Sequence, residues 1–416
     1  MAKERRRGFW RATLLASAMI VLSACLNQTR FVSGWVPYWN APEGRLGFTQ
    51  ASTMFTDISP FFYSAQPDGT IAIVGSQSQL NTTVHEAFTR GIKVLPTITD
   101  GSGKLVMAAI LADPDSRAQH IANIVALTTS SEIAGIDLDY EGFAFSDGQS
   151  SWASTQPVWR AFVTELAAAL HANGKLLSIT IPPTWIGGGG VTGYPVYDEA
   201  SMAAIADRVK LMVYDWSVSS PGPISPMSWL TQVISYANAN ITDPANRLKL
   251  QLGVPSYGRD WGRQANSKET CPDGALSTKS IELQNMQVLI DARGASPTRL
   301  DPSIGEMYFT YDTVATGYST KPITPPPYVP PTQRAPTIPG AAGPASTGLQ
   351  PALRLTPPTT QLSCTVRHYV YYSDATSIQR HAQAALDAGW SGVVIWALGY
   401  ETQDVYESLS NTTPHG

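Results

Sequence analysis

Eight short apolar runs rich in β-forming residues recur along the chain, with segments of helical periodicity between most of them. Runs of this length and composition are typical of buried strands. Strands that alternate with helices favour a parallel sheet, and eight such units favour a closed (β/α)8 TIM barrel of the α/β class. A doubly wound open sheet is the structural alternative. The runs are FVSGWV (31–36), DISPFFY (57–63), GIKVLPTI (91–98), IAGIDLD (133–139), KLLSITI (175–181), RVKLMVY (208–214), LKLQLGV (248–254) and GVVIWAL (392–398).

The interval between the seventh and eighth runs is too long for a single helix. It contains two further strand-like segments, MYFTYD (307–312) and HYVYYSD (368–374), and a proline-rich tract at 322–360. Proline fixes φ and has no backbone N–H, so this tract is expected to form an extended or disordered loop. We therefore predict one barrel domain at 31–410, with a long insertion between strands 7 and 8, and a C-terminal tail at 411–416.

The N-terminal segment has the pattern of an export signal. A basic cluster precedes an apolar run at 13–24, which is shorter than the roughly 18 apolar residues of a membrane-spanning helix. The tetrapeptide LSAC at 22–25 resembles the lipobox of bacterial lipoproteins, which implies cleavage before Cys25 and a lipid on its sulfur. We therefore predict a lipoprotein signal peptide at 1–24, a short anchor linker at 25–30, and an exported chain anchored to the bacterial cell membrane and facing the envelope. The alternative is ordinary signal cleavage beside an incidental cysteine.

The charge of the chain argues against a nucleic-acid partner. The whole sequence has a formal net charge of −4, and removal of 1–24 takes away a net +4, which leaves −8. Proteins that bind nucleic acid use Lys and Arg to neutralise phosphates, so this acidic chain is a poor candidate, although it can still bind a neutral polymer. The six histidines show no metal-ligand spacing, and we expect neither a metal nor a cofactor.

Cys271 and Cys364 are the cysteines that remain after the predicted cleavage. An exported chain enters an oxidising compartment, where a single disulfide between these two residues is expected. They flank much of the insertion, so the bond would tie its base. Two unpaired thiols are the alternative.

The fourth run carries carboxylates at alternate positions, although only 14% of the residues in the chain are charged. Alternate side chains of a strand point to opposite faces, so Asp137, Asp139 and Glu141 are expected inside the barrel, toward the end of the strand where barrel enzymes carry their chemistry. Like charges this close raise at least one pKa, which makes the outermost acid, Glu141, a proton donor near neutral pH. A solvated acidic strand end or a structural ion-pair cluster is the alternative. The residues expected to face outward are Ile136, Leu138 and Tyr140.

These acids belong to a larger set of motifs. AGIDLDYE at 134–141 resembles the DGxDxDxE signature of the family 18 glycoside hydrolases, with Ala134 in place of the first Asp. The resemblance covers nearly the whole predicted mature chain, and it implies a TIM barrel that hydrolyses glycosidic bonds. The further matching segments are MVYD (212–215) for the motif MxYD, GVPSYGRDW (253–261) for GxPxYGRxW, the tryptophan of GVVIWALG (392–399), and SGWVPYW (33–39) and DISPFFYS (57–64) for the first two strands.

The resemblance also implies substrate-assisted catalysis instead of the usual pair of catalytic carboxylates. Glu141 would protonate the glycosidic oxygen while the 2-acetamido carbonyl of the substrate attacks the anomeric carbon, giving an oxazolinium ion and retention. Asp139 would hold the acetamido N–H and offset the developing positive charge, and Asp137 would share a proton with Asp139. Tyr214 would donate to the acetamido oxygen, and Asp215 would contact the same sugar.

The same resemblance implies a sugar-binding site at the mouth of the barrel. Trp396 would form the apolar floor beneath the ring at the −1 subsite, with a core tryptophan as the alternative. Met212 belongs to the strand-six motif and is assigned to the substrate site, and Arg259 would contact either sugar or Asp215. Further aromatic residues near strand ends could stack on sugar faces or pack at the rim: Trp39, Tyr63, Trp185, Trp216 and Trp261.

Among the branches of the family, the chain most resembles the bacterial spore-cortex and cell-wall type, which acts on peptidoglycan. We therefore expect a monomeric, lipid-anchored, retaining β-N-acetylglucosaminidase that binds a polysaccharide with N-acetylglucosamine. A chitinase and an endo-β-N-acetylglucosaminidase are the alternatives within the enzyme class. Outside it, the alternatives are a non-catalytic sugar-binding lipoprotein and an envelope protein that docks a partner through the proline-rich tract. Because Asp139 and Glu141 are retained, Ala134 is expected to leave an active enzyme with a shifted pH profile.

Overall fold

The computed structural model describes residues 31–318 and 361–412. Eight parallel strands close into a barrel, because the first strand pairs in parallel with both the second and the last. This closure confirms the predicted (β/α)8 fold over the open sheet, whose two edge strands would lack a partner. The barrel strands are β1 (Phe31–Pro37), β2 (Asp57–Ala65), β3 (Thr97–Asp100), β4 (Gly135–Asp139), β5 (Leu176–Ile181), β6 (Arg208–Leu211), β7 (Leu250–Pro255) and β8 (Gly392–Trp396).

The third strand differs from its predicted run. Residues 91–98 contain only the short strand Lys93–Val94 and the start of β3. Pro96 lies between the two pieces, and because proline has no N–H it interrupts the ladder of hydrogen bonds. Both pieces pair in parallel with β2, so the barrel stays closed across the interruption.

Helices follow the strands and pack on the outward faces of the barrel. Tyr140, just past β4, is almost completely buried, and its ring stacks on Phe162 of the long helix Trp152–His171 with a centroid distance of 6.2 Å. The apolar face predicted for this strand therefore lies in the layer between sheet and helices. The helices are Ala41–Gln50, Gln77–Phe88, Val106–Ala112, Pro114–Ala126, Gly142–Phe145, Trp152–His171, Glu199–Ile205, Met227–Asn240, Pro244–Arg247, Leu283–Arg293, Ala375–Asp387 and Gln403–Thr412.

Close approach of β4 and β5 depends on a residue without a side chain. A Cβ atom on Gly135 would lie 2.1 Å from the carbonyl oxygen of Leu176, which no side chain could tolerate. The glycine therefore lets β4 pair with β5 immediately before its acidic residues begin.

The predicted insertion between β7 and β8 is confirmed, and part of it forms a compact unit of its own. Within this second unit, Cys271 and Cys364 form a disulfide with a Cα–Cα distance of 4.9 Å. Arg367 and Asp312 form an ion pair there through two hydrogen bonds of 2.9 Å. The described parts of the first unit are 31–260, 280–309 and 370–412, and those of the second are 261–279, 310–318 and 361–369.

The strands outside the barrel are short or belong to the insertion. Thr184–Gly187 and Gly190–Gly193 form an antiparallel hairpin after β5. The others are Ile71–Ile73, Lys93–Val94, Tyr257–Gln264, Thr278–Glu282, Thr298–Arg299, Met307–Tyr318 and Gln361–Tyr372.

Several predicted segments lie outside the described residues. These are the signal peptide at 1–24, the linker at 25–30 with the lipid attachment at Cys25, and the proline-rich tract at 322–360. The last helix continues past residue 410 into the predicted tail and ends at Thr412. In the described part of the chain, no helix is long and apolar enough to cross a membrane.

Candidate active site

β4 and the turn after it carry three acidic residues into the barrel. Asp137 is completely buried and Asp139 is 4% exposed, while Glu141 lies just beyond the strand, immediately before the one-turn helix Gly142–Phe145. The alternation predicted for these residues is therefore the arrangement found in the structure. It brings Asp139 and Glu141 to the carboxyl end of the strand, where they line a cavity.

Asp137 accepts hydrogen bonds at both carboxylate oxygens. Its Oδ1 accepts from the hydroxyls of Ser178, at 2.6 Å, and Thr180, at 3.1 Å. Its Oδ2 accepts from the indole N–H of Trp35 and from the hydroxyl of Thr97, each at 3.0 Å. Donors from three other barrel strands therefore hold this side chain in place.

Beneath the cavity, the barrel interior contains two buried cations that sequence reasoning did not assign. Lys210 is completely buried, and its Nζ lies 3.3 Å from Oδ1 of Asp137. Two residues earlier on β6, Arg208 Nε lies 3.0 Å from Oδ2 of Asp57. Burial would raise the pKa of Asp57, but the charges of Arg208 and Lys210 outweigh that effect and hold it below its ordinary value. The buried carboxylates of Asp57 and Asp137 are thus each paired with a cation.

Asp139 and Glu141 form a coupled pair of acids, which act on each other's pKa through a hydrogen bond between their carboxyl groups. Burial raises the pKa of Asp139 well above its ordinary value, and the charges of Glu141 and Asp137 raise it further. Burial also raises the pKa of Glu141, helped by the charge of Asp215 and opposed by the hydrogen bond from Asp139. Raised pKa values keep protons in this pair near neutral pH, which suits a general acid.

The family resemblance implies a proton shared between Asp137 and Asp139. In the structure the oxygens of Asp137 accept from groups on other strands, and the charge of Asp137 raises the pKa of Asp139. The second oxygen of Asp139, Oδ1, is buried and has no hydrogen-bond partner among the described residues.

The segment after β6 adds a tyrosine and a fourth carboxylate to the cavity wall. Tyr214 is half-buried and lines the cavity, and desolvation raises the pKa of its hydroxyl well above the usual range. Asp215 has a left-handed backbone (φ 61°) and a partly exposed side chain. It accepts hydrogen bonds from the hydroxyl of Tyr257 and from Nη2 of Arg259, the latter at 2.7 Å. Of the two contacts predicted for Arg259, the structure therefore shows the one to Asp215.

Aromatic side chains form one wall of a cavity of about 540 Å³ above the acids. Trp396, at the end of β8, is surrounded edge-on by three rings, with centroid distances of 5.7 Å to Trp35, 5.2 Å to Phe61 and 6.2 Å to Trp39. Trp39 is about half exposed, and its indole N–H donates to the hydroxyl of Tyr400 at 2.8 Å. This group of rings gives the cavity an apolar wall, and Asp139 and Glu141 line the same cavity.

A second aromatic group lines the cavity from segments outside the barrel strands. Trp185, Trp216 and Trp229 lie with ring centroids 5.0 to 5.9 Å apart, and Trp216 is about half exposed. Sequence reasoning considered the first two and missed Trp229, which lies in a helix with no motif around it. The remaining lining residues are Phe145, Thr180, Pro182, Pro183, Tyr194, Met212 and Val218.

Two aromatic residues predicted for sugar binding do not lie in this cavity. The ring of Trp261 is completely buried and cannot meet a substrate. Tyr63 is not a lining residue, whereas Phe61, two positions earlier on β2, is. The register of β2 shifts between Phe61 and Tyr63, and Tyr63 pairs with Ile73 in a hairpin that extends past the barrel. The side of β2 that faces the cavity therefore changes between Phe61 and Tyr63, so Tyr63 does not line the cavity.

The fold and this cavity together define the class of protein: a (β/α)8 barrel with proton-holding carboxyl groups and aromatic walls, the arrangement that suits a carbohydrate ligand. A sequence model described as glycosyl hydrolases family 18 matches residues 32–401. The chain therefore belongs to family 18 of the glycosyl hydrolases. Within the described residues, no group of three His, Cys, Asp or Glu side chains could hold a metal ion.

Individual relatives are distant. The chain is 23% identical over 265 residues to the cortical fragment-lytic enzyme of Bacillus subtilis (strain 168), an alignment that covers 63% of this chain and 57% of the relative. Among solved structures, a chitinase from Chromobacterium violaceum ATCC 12472 matches with a TM-score of 0.67 at 20% identity, covering 93% of this chain and all of that one. The spore cortex-lytic enzyme SleL of Bacillus megaterium QM B1551 matches with a TM-score of 0.66 at 18% identity, covering 92% and 74%. The chain thus spans less than two thirds of that curated relative's length, and these structures show the shared fold.

Proposed function

We propose that the protein is a retaining glycoside hydrolase that cleaves β-linked N-acetylglucosamine polymers of the cell envelope, with peptidoglycan as the polymer. The observation that carries this proposal is the pair of acids Asp139 and Glu141, hydrogen-bonded to each other in an aromatic-walled cavity. Glu141 has the raised pKa that a general acid needs. Asp139 has a buried oxygen still without a donor, which suits an amide N–H of a substrate.

The proposed reaction uses these groups in two steps. In the first, Glu141 gives its proton to the glycosidic oxygen as the acetamido carbonyl of the substrate attacks the anomeric carbon. The bond to the leaving sugar breaks and an oxazolinium ion forms, with its N–H held by Asp139 and its oxygen near the hydroxyl of Tyr214. In the second, Glu141 accepts a proton from water, which attacks the same carbon and restores the acetamido group with net retention.

The remaining groups would position the sugar. Trp396 lines the cavity among three other rings, so an apolar sugar face could stack on it. Asp215 is held by Tyr257 and Arg259 and lines the cavity. There it could accept a hydrogen bond from a hydroxyl of the same sugar. Met212 lines the site between them.

Peptidoglycan is favoured as the polymer by the curated relatives that carry the name cortical fragment-lytic enzyme, from Bacillus subtilis, Bacillus anthracis and Bacillus cereus. A chitinase is the second candidate, because a probable chitinase of Drosophila melanogaster is also 25% identical over 173 residues. Export and lipid anchoring at Cys25 remain part of the proposal. The disulfide between Cys271 and Cys364 supports export, since such bonds persist in oxidising compartments.

The test uses the chain without its predicted leader, residues 26–416, together with Glu141→Gln and, as a control, Glu407→Gln at an exposed carboxylate. Each is incubated with purified peptidoglycan, chitin oligosaccharides and a plain glucose polymer, and products are identified by mass spectrometry. We expect fragments with reducing N-acetylglucosamine ends from peptidoglycan, made by the parent chain and by Glu407→Gln but not by Glu141→Gln. Cleavage of chitin alone would assign a chitinase. Cleavage of the glucose polymer would refute the acetamido mechanism, and binding without any cleavage would indicate a sugar-binding protein.

A further inference from the structure

We propose that Lys210 is a positioning residue for the reaction: its buried ammonium group holds Asp137 as a carboxylate, which leaves the proton of the neighbouring acids on Asp139. The proposal rests on the hydrolase function proposed above, because it concerns how the acid pair is prepared for catalysis. Lys210 itself does not line the cavity and does not touch the reacting atoms.

Lys210 lies beside Asp137 inside the barrel, and its charge also acts on Asp57. Its side chain rises inside the barrel from β6 and is completely buried. Its Nζ lies 3.3 Å from Oδ1 of Asp137 and donates to the hydroxyl of Ser59 at 2.6 Å, and it lies 5.1 Å from the ring centroid of Trp35. A buried ammonium group is tolerated only with a counter-charge, and the carboxylate of Asp137 supplies it.

The groups around Asp137 favour its charged form. Its Oδ1 faces the ammonium group of Lys210, and its Oδ2 faces the indole N–H of Trp35. An ammonium group and an indole N–H can only donate, so both favour a carboxylate, and the neighbouring hydroxyls can donate to it as well. The hydroxyls of Thr97 and Ser178 complete the set around the two oxygens. The geometry therefore assigns the charged form to Asp137.

The other charges near Asp139 do not perform the same role. On its own strand, Asp137 and Glu141 are both acidic and raise the pKa of Asp139, whereas Lys210 from β6 lowers it. The nearby tyrosine hydroxyls, Tyr197 and Tyr214, have pKa values raised well above the usual range and stay neutral.

The two nearby arginines are already paired with other carboxylates, and Asp100 at the end of β3 is a further acid, which accepts from the hydroxyl of Ser102. Arg208 from β6 is paired with Asp57 of β2. Asp215, at the cavity wall, is paired with Arg259. Lys210 is therefore the cation that balances the carboxylate directly below the acid pair.

A cation and hydroxyl groups meet Asp137. With Asp137 held as a carboxylate, its charge raises the pKa of Asp139, which favours a proton on the upper pair of acids. The acid pair is therefore prepared by charge balance in the layer beneath it.

The test compares Lys210→Met with Arg208→Met, which removes a buried cation from the same strand two residues farther from the acids. The readout is the pH dependence of kcat/KM on an aryl glycoside of N,N′-diacetylchitobiose, with thermal unfolding measured in parallel. Removing a positive charge makes nearby acids harder to ionise, so both limbs of the Lys210→Met profile should move upward by about one pH unit or more. Arg208→Met should unfold at a lower temperature than the parent chain. The two limbs of its pH profile should stay at the pH values of the parent chain. A Lys210→Met profile that superposes on the parent profile overturns the proposal.

A second comparison covers the case in which Lys210→Met does not fold. Asp137→Asn and the double variant Asp137→Asn/Lys210→Met differ by the same cation, and the double variant leaves no unpaired charge. The double variant should again have limbs at higher pH than Asp137→Asn, and identical limbs would count against the role of Lys210.

A direct measurement separates this proposal from the hydrolase function. With aspartate labelled at its carboxyl carbon, NMR should show Asp137 as a carboxylate throughout the pH range in which the parent chain is folded. In Lys210→Met the signal of Asp137 should move with pH. If the parent chain cleaves no acetamido sugar, the proposed function fails, while these spectra still decide the role of Lys210: a signal of Asp137 that is already neutral in the parent chain overturns it.

Discussion

Replacing Glu199 by glutamine should stabilise the protein in alkaline solution and leave its stability unchanged in acid. Glu199 begins the helix Glu199–Ile205 and is almost completely buried. Its Oε1 accepts the backbone N–H of Thr184 at 2.8 Å, whereas its Oε2 and Oγ1 of Thr184 have no partner among the described residues. Burial raises the pKa of Glu199 to about 8. The folded protein therefore holds a neutral carboxyl group there at neutral pH.

The sign of the effect follows from proton binding. Between the ordinary pKa of 4.5 and the folded value of about 8, the folded state holds a proton that the unfolded state releases. Stability contributed by Glu199 is therefore fully present below pH 4.5 and is lost as the pH rises to about 8. One pKa unit corresponds to about 1.4 kcal/mol, so the whole shift from 4.5 to about 8 corresponds to a loss of about 5 kcal/mol. A glutamine has the shape of the neutral carboxyl, can donate to Oγ1 of Thr184, and cannot ionise.

The assay is denaturant unfolding at about pH 5 and about pH 8.5 for the parent chain, Glu199→Gln and the exposed-site control Glu407→Gln. We expect the free energy of unfolding of Glu199→Gln to match that of the parent at the lower pH and to exceed it by about 3 to 4 kcal/mol at the higher pH. The free energy of unfolding of Glu407→Gln should differ little from that of the parent chain at either pH. A parent and a Glu199→Gln variant that differ equally at the two pH values would show that Glu199 is already ionised in the folded protein, and the reasoning from its burial would be wrong.

Three further predictions concern the cavity and the insertion. Tyr257→Phe removes a hydroxyl that donates to Asp215, so kcat should fall about tenfold in steady-state assays with unchanged thermal unfolding, and an unaltered kcat would argue against a role for that contact. Trp216→Ala removes a half-exposed ring of the cavity wall and should raise KM for long oligosaccharides about threefold to tenfold with little change in kcat. Cys271→Ser opens the disulfide to Cys364 and should lower the free energy of unfolding of the second unit by about 2 to 5 kcal/mol, which unfolding of the parent chain with and without reductant would check independently.

The parts of the fold that could be predicted from sequence are those encoded locally. Each barrel strand is a short apolar run, and the count of such runs already points to eight units. The alternation of acids at 137–141 with apolar residues depends only on the period of a strand, so the face of Asp139 and Glu141 could be predicted as well. The interruption at Pro96 has an equally local cause, although its effect on the third strand was not anticipated.

The parts that could not be predicted depend on contacts between distant segments. In the sequence, Tyr63 has the same parity along β2 as Phe61. In the structure, a shift of register and a hairpin with Ile73 take Tyr63 out of the cavity, whereas Phe61 lines the cavity. Trp229 lies on a helix without a motif and reaches the cavity only through packing against Trp185 and Trp216. Neither the register of a hairpin nor the packing between separate elements leaves a pattern in a local stretch of the sequence.

The same limit explains why the acids were predicted more fully than their electrostatic setting. The interior of a barrel is usually filled by branched apolar side chains. Because lysine is mostly exposed in proteins, a lysine in a strand is predicted to lie at the surface. Here Lys210 points inward and neutralises Asp137, so the layer beneath the cavity is balanced by a cation. The layer above it, with Asp139 and Glu141, has no cation paired to it among the described residues, and both acids have raised pKa values. Buried carboxyl groups must be compensated by cations or by protons. Because the lower layer uses the cation, the upper layer must use protons, and the proton that a glycosidase acid needs is thus held at the mouth of the barrel.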